Sequence, residues 1–185
     1  MPLRGRNSLT GERYYFITTT VVRFLNVFED NAVCDILIDN LKYYQNKYHF
    51  NILGYVIMPS HFHWIVEVNP EFGTVSDIMR DIKRRTSKEI TLYLSDREEY
   101  RNIFKEEAEG KPKQQKKFWM DSFDDRVVRD MKMFWEKLNY IHNNPLEAGL
   151  VRRQVDYKYS SARNYAFEDH SLIYVDIKQA GVYLR

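Results

Sequence analysis

Two histidines at alternate positions of one predicted strand are the residues whose types and spacing best fit metal chemistry. His61 and His63 open the stretch 61–68, whose aromatic and β-branched composition predicts a β-strand. Alternate residues of a strand share a face, so both imidazoles point the same way, about 7 Å apart along the strand. Phe62 and Trp64 point the other way, toward the predicted core. The imidazoles could share a divalent ion, although two unrelated surface histidines fit the same pattern.

A second polar segment lies near the end of a helix predicted over residues 125–143. Tyr140 and Asn144 are four residues apart, so they share a helix face, away from the apolar stripe. An amide oxygen suits Mg²⁺ or Mn²⁺, but two imidazoles beside it leave the metal open. A tyrosine beside a bound cation could attack a phosphodiester, because the metal offsets the weak nucleophilicity of a phenol. His142 lies on another face and is expected to bond the turn that follows.

Composition restricts the class of protein. The chain has 185 residues, 44% of them hydrophobic and 29% charged, which predicts one soluble globular domain over residues 1–185. Its single cysteine, Cys34, excludes an intrachain disulfide and a multi-cysteine zinc site. No apolar run reaches the length of a membrane span, and no secretory signal pattern opens the chain. We therefore expect a cytoplasmic protein without a membrane partner.

Charge and aromatic content leave nucleic acid open as a partner. The net charge is only +2, so the distribution of basic residues has to decide. Aromatic residues make up 15% of the chain and could stack on unpaired bases, although a tyrosine-rich core fits equally. The candidate DNA contacts are Arg4 and Arg6 in a basic N-terminal arm (1–13), Arg80, Lys83, Arg84 and Lys88 on one helix face, and Arg152 and Arg153 after the tyrosine helix. A solvated helix surface is the alternative for the four helical residues.

The order of elements predicts an α+β fold. Strands are expected at 14–22, 51–58, 61–68 and within 118–123, and helices at 31–48, 74–94 and 125–143, with a short one near 160–166. This βαββαβ order predicts a ferredoxin-like antiparallel sheet with two helices on one face, and a further tyrosine-bearing helix. The other face is expected to be open for a site. Residues 95–117 read as a charged, exposed insertion, and residues 150–185 as a C-terminal tail.

Two segments resemble a known family. Residues 59–64 (Pro-Ser-His-Phe-His-Trp) resemble the His–hydrophobic–His motif of the HUH nucleases, in the form used by single-tyrosine transposases. Residues 140–145 (Tyr-Ile-His-Asn-Asn-Pro), with 148–151 and 159–162 after them, resemble the signature of the REP-associated tyrosine transposases, as does the stretch 122–129 before them. The resemblance covers about residues 14–94 and 118–165. Tyr159 stands where the family has Trp, and the connection 95–117 is longer than usual.

The resemblance implies a metal-dependent single-strand DNA endonuclease and strand transferase. His61, His63 and Asn144 match the family's ligands for Mg²⁺ or Mn²⁺. Tyr140 matches the nucleophile that attacks the scissile phosphate and leaves a 5′-phosphotyrosine and a free 3′-OH. The implied partners are DNA hairpins with a short unpaired flank, often palindromic repeats, which would place the protein on the nucleoid when bound. A monomer and a homodimer both remain open, as does action of Tyr140 in cis or in trans.

Two alternatives remain at this point. The chain could bind DNA hairpins without cutting them, or it could be a metal-dependent nuclease that uses water as the nucleophile. Loss of the Tyr140 hydroxyl distinguishes the second alternative, since a water-dependent enzyme would keep most of its activity.

Overall fold

A four-stranded antiparallel sheet forms the centre of the protein. The computed structural model describes residues 12–110 and 115–178, so Arg4, Arg6 and most of the predicted basic arm lie outside the described residues. The strands are β1 (Tyr14–Thr20), β2 (Asn51–Met58), β3 (His61–Glu67) and β4 (Asp124–Val127), in the order β2-β3-β1-β4. Every pair is antiparallel. This is the strand order of a ferredoxin-like fold, and the predicted α+β class is confirmed.

Two helices cover one face of this sheet, as predicted. Helix α1 (Asn31–Tyr48) begins at Asp30, whose carboxylate accepts a hydrogen bond from the Ala32 amide. Helix α2 (Val75–Tyr93) begins with a capping box in which Thr74 and Asp77 satisfy each other's backbone amides. The apolar sides of both helices join the main core with Ile17, Phe62 and Trp64 of the sheet.

The fourth strand and the tyrosine helix do not start where the sequence pattern predicts. Trp119, in the expected strand, forms only an isolated bridge with Val21, and β4 lies a few residues later. Helix α4 (Met131–Glu147) begins after Asp130, whose side chain caps the Met133 amide. The predicted start at residue 125 is wrong. Val127 and Val128 have helical spacing with the apolar residues of α4, but both pair with the edge of β1 instead.

Helix α4 lies across the second face of the sheet, which we expected to be open. Its buried residues Phe134, Leu138 and Ile141 form a smaller core with Phe16 and Val56 of the strands. The sheet is therefore packed on both sides. The tyrosine helix is held against the face that carries the histidines, and this packing fixes where Tyr140 can reach.

The C-terminal tail and the charged insertion are both anchored to this core. The tail includes α5 (Ala162–Phe167), and it follows the free edge of β2, where the Ile57 amide donates to Tyr159 and the Asp176 amide donates to Ile52. The insertion contains α3 (Glu98–Glu106), and its Phe104 is buried against Phe118. The insertion is thus exposed only in part. None of the helices in the described ranges is long and apolar enough to cross a membrane.

Gly54 sets the distance between α4 and the sheet. A Cβ atom at this position would lie 2.5 Å from the Cδ1 atom of Leu138, which is buried. We expect Gly54→Ala to lower the free energy of unfolding by about 1–3 kcal/mol, because an added methyl overpacks this contact. Urea unfolding measures the change. Adding Leu138→Ala should make the double variant less destabilised than the sum of the single variants; strict additivity would contradict this account.

Candidate active site

Helix α4 brings Tyr140 against the histidine face of the sheet. The rings of Tyr140 and His63 lie 5.3 Å apart between centroids, edge to face. Phe16 of β1 stacks on His63 at 5.6 Å and meets the edge of Tyr140 at 6.0 Å. Side chains from β3, β1 and α4 therefore form one aromatic cluster, which holds the Tyr140 ring beside the predicted metal ligand.

The two histidines share one face, as the alternation predicts. Their ring centroids are 4.7 Å apart. The Nδ1 atom of His63 is paired with the Thr18 hydroxyl at 2.8 Å, and that of His61 with the Ser60 hydroxyl at 3.2 Å. With Nδ1 donating to these oxygens, each Nε2 atom keeps the lone pair that a cation requires.

The Nε2 atom of His63 is buried and has no hydrogen-bond partner within the described residues. A buried polar atom left unpaired costs about 1–3 kcal/mol. Side-chain atoms of Thr19, Asn40 and Trp64 share this condition among the described residues, but His63 contributes the only imidazole nitrogen among these atoms. A cation bound at this atom would remove the deficit. The orphaned nitrogen is the observation of this structure that best fits a metal ligand.

Burial keeps both imidazoles in the form that binds metals. It lowers the pKa of His63 to about 3, helped by the neighbouring charges of His61 and Lys137, and it lowers the pKa of His61 as well. Both rings are therefore neutral at pH 7. Neutral imidazole is the ligand form of histidine, so no proton has to be displaced at neutral pH.

Asn144 is the third residue of the predicted ligand set. It lies one helical turn after Tyr140, and its side-chain nitrogen donates to the Tyr140 carbonyl at 2.9 Å. That bond leaves its amide oxygen as the atom that could coordinate a cation. Among the described residues no group of three or more His, Cys, Asp or Glu side chains could hold a metal ion, so an amide would have to complete the set. Two neutral imidazoles and an amide oxygen fit a divalent cation.

Tyr140 is accessible to a substrate although its ring is packed. Its side chain is 43% exposed. Its ring faces His63 and Phe16, whereas its hydroxyl has no hydrogen-bond partner in residues 12–110 and 115–178. The phenol oxygen is therefore free to meet a phosphate group that enters from solvent.

His142 bonds Ser161 rather than the turn after α4, so the expectation that it would bond that turn is wrong. Its Nε2 atom is 2.8 Å from the Ser161 hydroxyl, which also accepts the Tyr55 amide at 2.9 Å. Burial lowers the pKa of His142 to about 4, so the ring is neutral at pH 7. The residue joins α4 to β2 and to the start of α5, away from the histidine pair.

The predicted basic face of α2 does not reach this site. Helix α2 packs on the opposite side of the sheet from α4. Arg80 and Arg84 pair with aspartates of α2 itself, and Lys83 donates to the Met120 carbonyl at 2.7 Å. Lys88 is exposed on the same helix. Contact of these residues with DNA remains a prediction.

Arg152 and Arg153, the basic pair after α4, are further candidate DNA contacts. Both arginines are exposed, and Arg153 is also paired with Asp156 at 2.6 Å. Both residues follow the helix that carries Tyr140, so they are closer to it along the chain than the α2 cations are. Their contact with DNA is likewise a prediction.

Three residues of the site were not singled out from the sequence. Thr18 and Phe16 enter through the pairing register of β1 with β3, in which Thr18 lies opposite His63. Strand register is not visible in a single sequence. Lys137 lies three residues before Tyr140 and so on the same side of α4. That spacing was available in the sequence.

Comparison with known proteins places this arrangement in context. A family model described as "Transposase IS200 like" matches residues 10–144. A solved structure of a REP-associated tyrosine transposase bound to a REP hairpin is similar, with a TM-score of 0.64 and 19% identity over 92% of this chain and 91% of that one. At this identity the likeness shows a shared fold.

A second solved structure, of a candidate transposase from Deinococcus radiodurans R1, has a TM-score of 0.49 and 16% identity over 77% of this chain and 96% of that one. That score is too low to support a statement about this chain. None of the curated proteins compared with the chain matches it.

Proposed function

The chain belongs to the IS200-like transposase family, and we propose that it cuts and rejoins single-stranded DNA with Tyr140 as the nucleophile. The observation that carries the proposal is the approach of the Tyr140 ring to within 5.3 Å of His63. Within the described residues the Tyr140 phenol lacks a hydrogen-bond partner, and so does the buried Nε2 atom of the neighbouring His63 ring. Strand transfer requires a nucleophile beside a cation site, and these two side chains could supply both.

The proposed reaction exchanges one phosphodiester for another. The Tyr140 oxygen forms a bond to the scissile phosphorus and loses its proton. The bond from phosphorus to the 3′ oxygen breaks, and that oxygen gains a proton and leaves as a free 3′-OH. The downstream strand stays attached to the protein as a 5′-phosphotyrosine, from which a second 3′-OH can displace Tyr140.

The residues at the site fit the divalent metal that this chemistry requires. His61, His63 and Asn144 would hold Mg²⁺ or Mn²⁺, since both rings are neutral and the amide oxygen is a hard ligand. When bound there, the metal would polarise the scissile phosphate and offset its charge. Thr18 holds the His63 ring in the required orientation through its hydroxyl.

The proposed substrate is a DNA hairpin with an unpaired flank, of the kind found in palindromic repeats. The similar solved structure is bound to a REP hairpin, and the two chains share a fold. Arg152 and Lys88 are exposed cations that could follow a phosphate backbone. The N-terminal arm with Arg4 and Arg6, which lies outside the described residues, is a further candidate contact.

The proposed nucleophile and one of the proposed metal ligands meet within the same chain. Tyr140 and His63 approach each other within a single protomer, on α4 and β3. We therefore expect cleavage in cis, by a monomer. Exchange of α4 between two copies is not required to complete the constellation.

A covalent-trapping assay tests the proposed function. The protein is incubated with Mn²⁺ and single-stranded hairpin oligonucleotides drawn from repeats that flank its own gene, and the mixture is run on a denaturing gel. We expect a protein–DNA adduct that disappears with a chelator. Cleavage without an adduct would assign the reaction to water, and binding with neither would leave a hairpin-binding protein.

A further inference from the structure

Lys137 is a cation beside the proposed nucleophile. It lies on α4 one turn before Tyr140, and its ammonium group is 5.0 Å from the Phe16 ring centroid and 5.9 Å from that of Tyr140. The side chain is half-buried. The ammonium group thus lies over the two rings that form the wall of the site next to His63.

This ammonium group has no anionic partner in the part of the chain that the structure describes. Several other cations of the chain pair with carboxylates, as Lys47 does with Asp81 at 3.0 Å and Arg153 with Asp156 at 2.6 Å. For Lys137 the structure shows only contacts to ring faces.

A half-buried ammonium group whose only neighbours shown are aromatic rings is suited to bind an anion. Contact with aromatic rings recovers about 0.5–1 kcal/mol, which is less than a charge-assisted hydrogen bond to an anionic oxygen. The neighbouring Tyr140 is 43% exposed, so solvent reaches this side of α4. The anion expected there is the phosphodiester that Tyr140 attacks.

We propose that Lys137 binds the scissile phosphate of the DNA and holds it beside the Tyr140 oxygen. The inference rests on the proposed function and adds a substrate-binding residue to it. The phosphate is negative in the bound substrate and gains charge as the phenol oxygen attacks. A fixed cation at this point therefore favours both binding and the transition state.

Binding measurements without cleavage separate this role from the chemistry. The Tyr140→Phe protein is mixed, in EDTA, with a hairpin oligonucleotide, and the affinity is read by fluorescence anisotropy. The same oligonucleotide is then made with a neutral methylphosphonate at each phosphate of the unpaired flank in turn. Lys137→Met removes the charge and keeps the stem, whereas Lys137→Arg keeps the charge.

We expect Lys137→Met to weaken binding of the unmodified hairpin about tenfold, and Lys137→Arg to recover most of the loss. When the methylphosphonate replaces one particular phosphate, Lys137→Met should cause no further loss of affinity. We expect that phosphate to be the one that is cleaved. Lys42→Met on α1, across the sheet, removes the same charge and should change the affinity less than twofold. Lys137→Gln, a second variant without the charge, should weaken binding as Lys137→Met does. A thermal melt of each variant shows whether the fold is kept.

Two outcomes would overturn the inference. If Lys137→Met weakens binding by the same factor at every methylphosphonate position, the lysine does not contact one particular phosphate and its role is general or structural. No effect on the unmodified hairpin would remove it from the binding site. Failure of the proposed function is separate, because it shows as a missing adduct in the trapping assay, whereas the anisotropy series needs no cleavage.

Discussion

Replacing Tyr140 with Phe is expected to abolish the covalent adduct and to lower DNA cleavage at least about 10³-fold. Phenylalanine lacks the oxygen that would bond to phosphorus, and the hydroxyl of Thr18, next to His63, is already paired with the Nδ1 atom of that ring. The fold should not change. The ring packing is kept, and the hydroxyl that is lost makes no hydrogen bond in residues 12–110 and 115–178.

The measurement is single-turnover cleavage with Mn²⁺, together with adduct formation on a denaturing gel. Tyr174→Phe is the matched control, since Tyr174 is an exposed tyrosine on the C-terminal tail, 56% accessible, whose ring stacks on His170. It should form the adduct at the wild-type rate. If Tyr140→Phe still cuts DNA at a comparable rate without an adduct, water is the nucleophile and the role proposed for Tyr140 is wrong.

Helices and strands whose bounds depend on neighbouring residues can be predicted from the sequence. Helix α1 and strand β2 lie where the sequence places them, because the Asp30 cap and the β-branched run are decided within a few residues. Strand β4 is different. Val127 and Val128 have helical spacing with the apolar residues after them, and only the unpaired edge of β1 selects a strand there. That edge is not local to the sequence.

The same distinction applies to the site. Alternation on β3 predicts that His61 and His63 share a face, and helical spacing predicts that Tyr140 and Asn144 do. The meeting of Tyr140 with His63 depends on which sheet face α4 crosses, and that is a matter of long-range packing, such as the close approach of Leu138 to Gly54. Thr18 becomes the partner of His63 only through the register between β1 and β3. The sequence therefore predicts which residues share a face, whereas the contacts that bring these faces together and support them depend on the fold.

Replacing His63 with Gln should remove the metal site, and with it DNA cleavage. Loss of a supporting hydrogen bond around a metal typically costs 10–100-fold in affinity, so we expect loss of the ligand itself to weaken Mn²⁺ binding at least about 100-fold. The native ring is well suited to the role, because its pKa of about 3 keeps it neutral and its Nε2 atom lacks a partner among the described residues. Glutamine replaces the ring nitrogen with a flexible amide that the Thr18 hydroxyl no longer holds in place as it holds the imidazole.

Thermal unfolding with and without Mn²⁺ separates this metal effect from damage to the fold. A ligand that binds only the folded state raises the melting temperature with its concentration, so the wild-type and Tyr140→Phe proteins should be stabilised by Mn²⁺. His63→Gln should lose that increment. His142→Gln removes another buried, neutral histidine, whose bond to Ser161 supports the fold. It should melt at a lower temperature and still gain stability from Mn²⁺. An equal Mn²⁺ increment in His63→Gln would show that the cation binds elsewhere and that the orphaned nitrogen of His63 has another explanation.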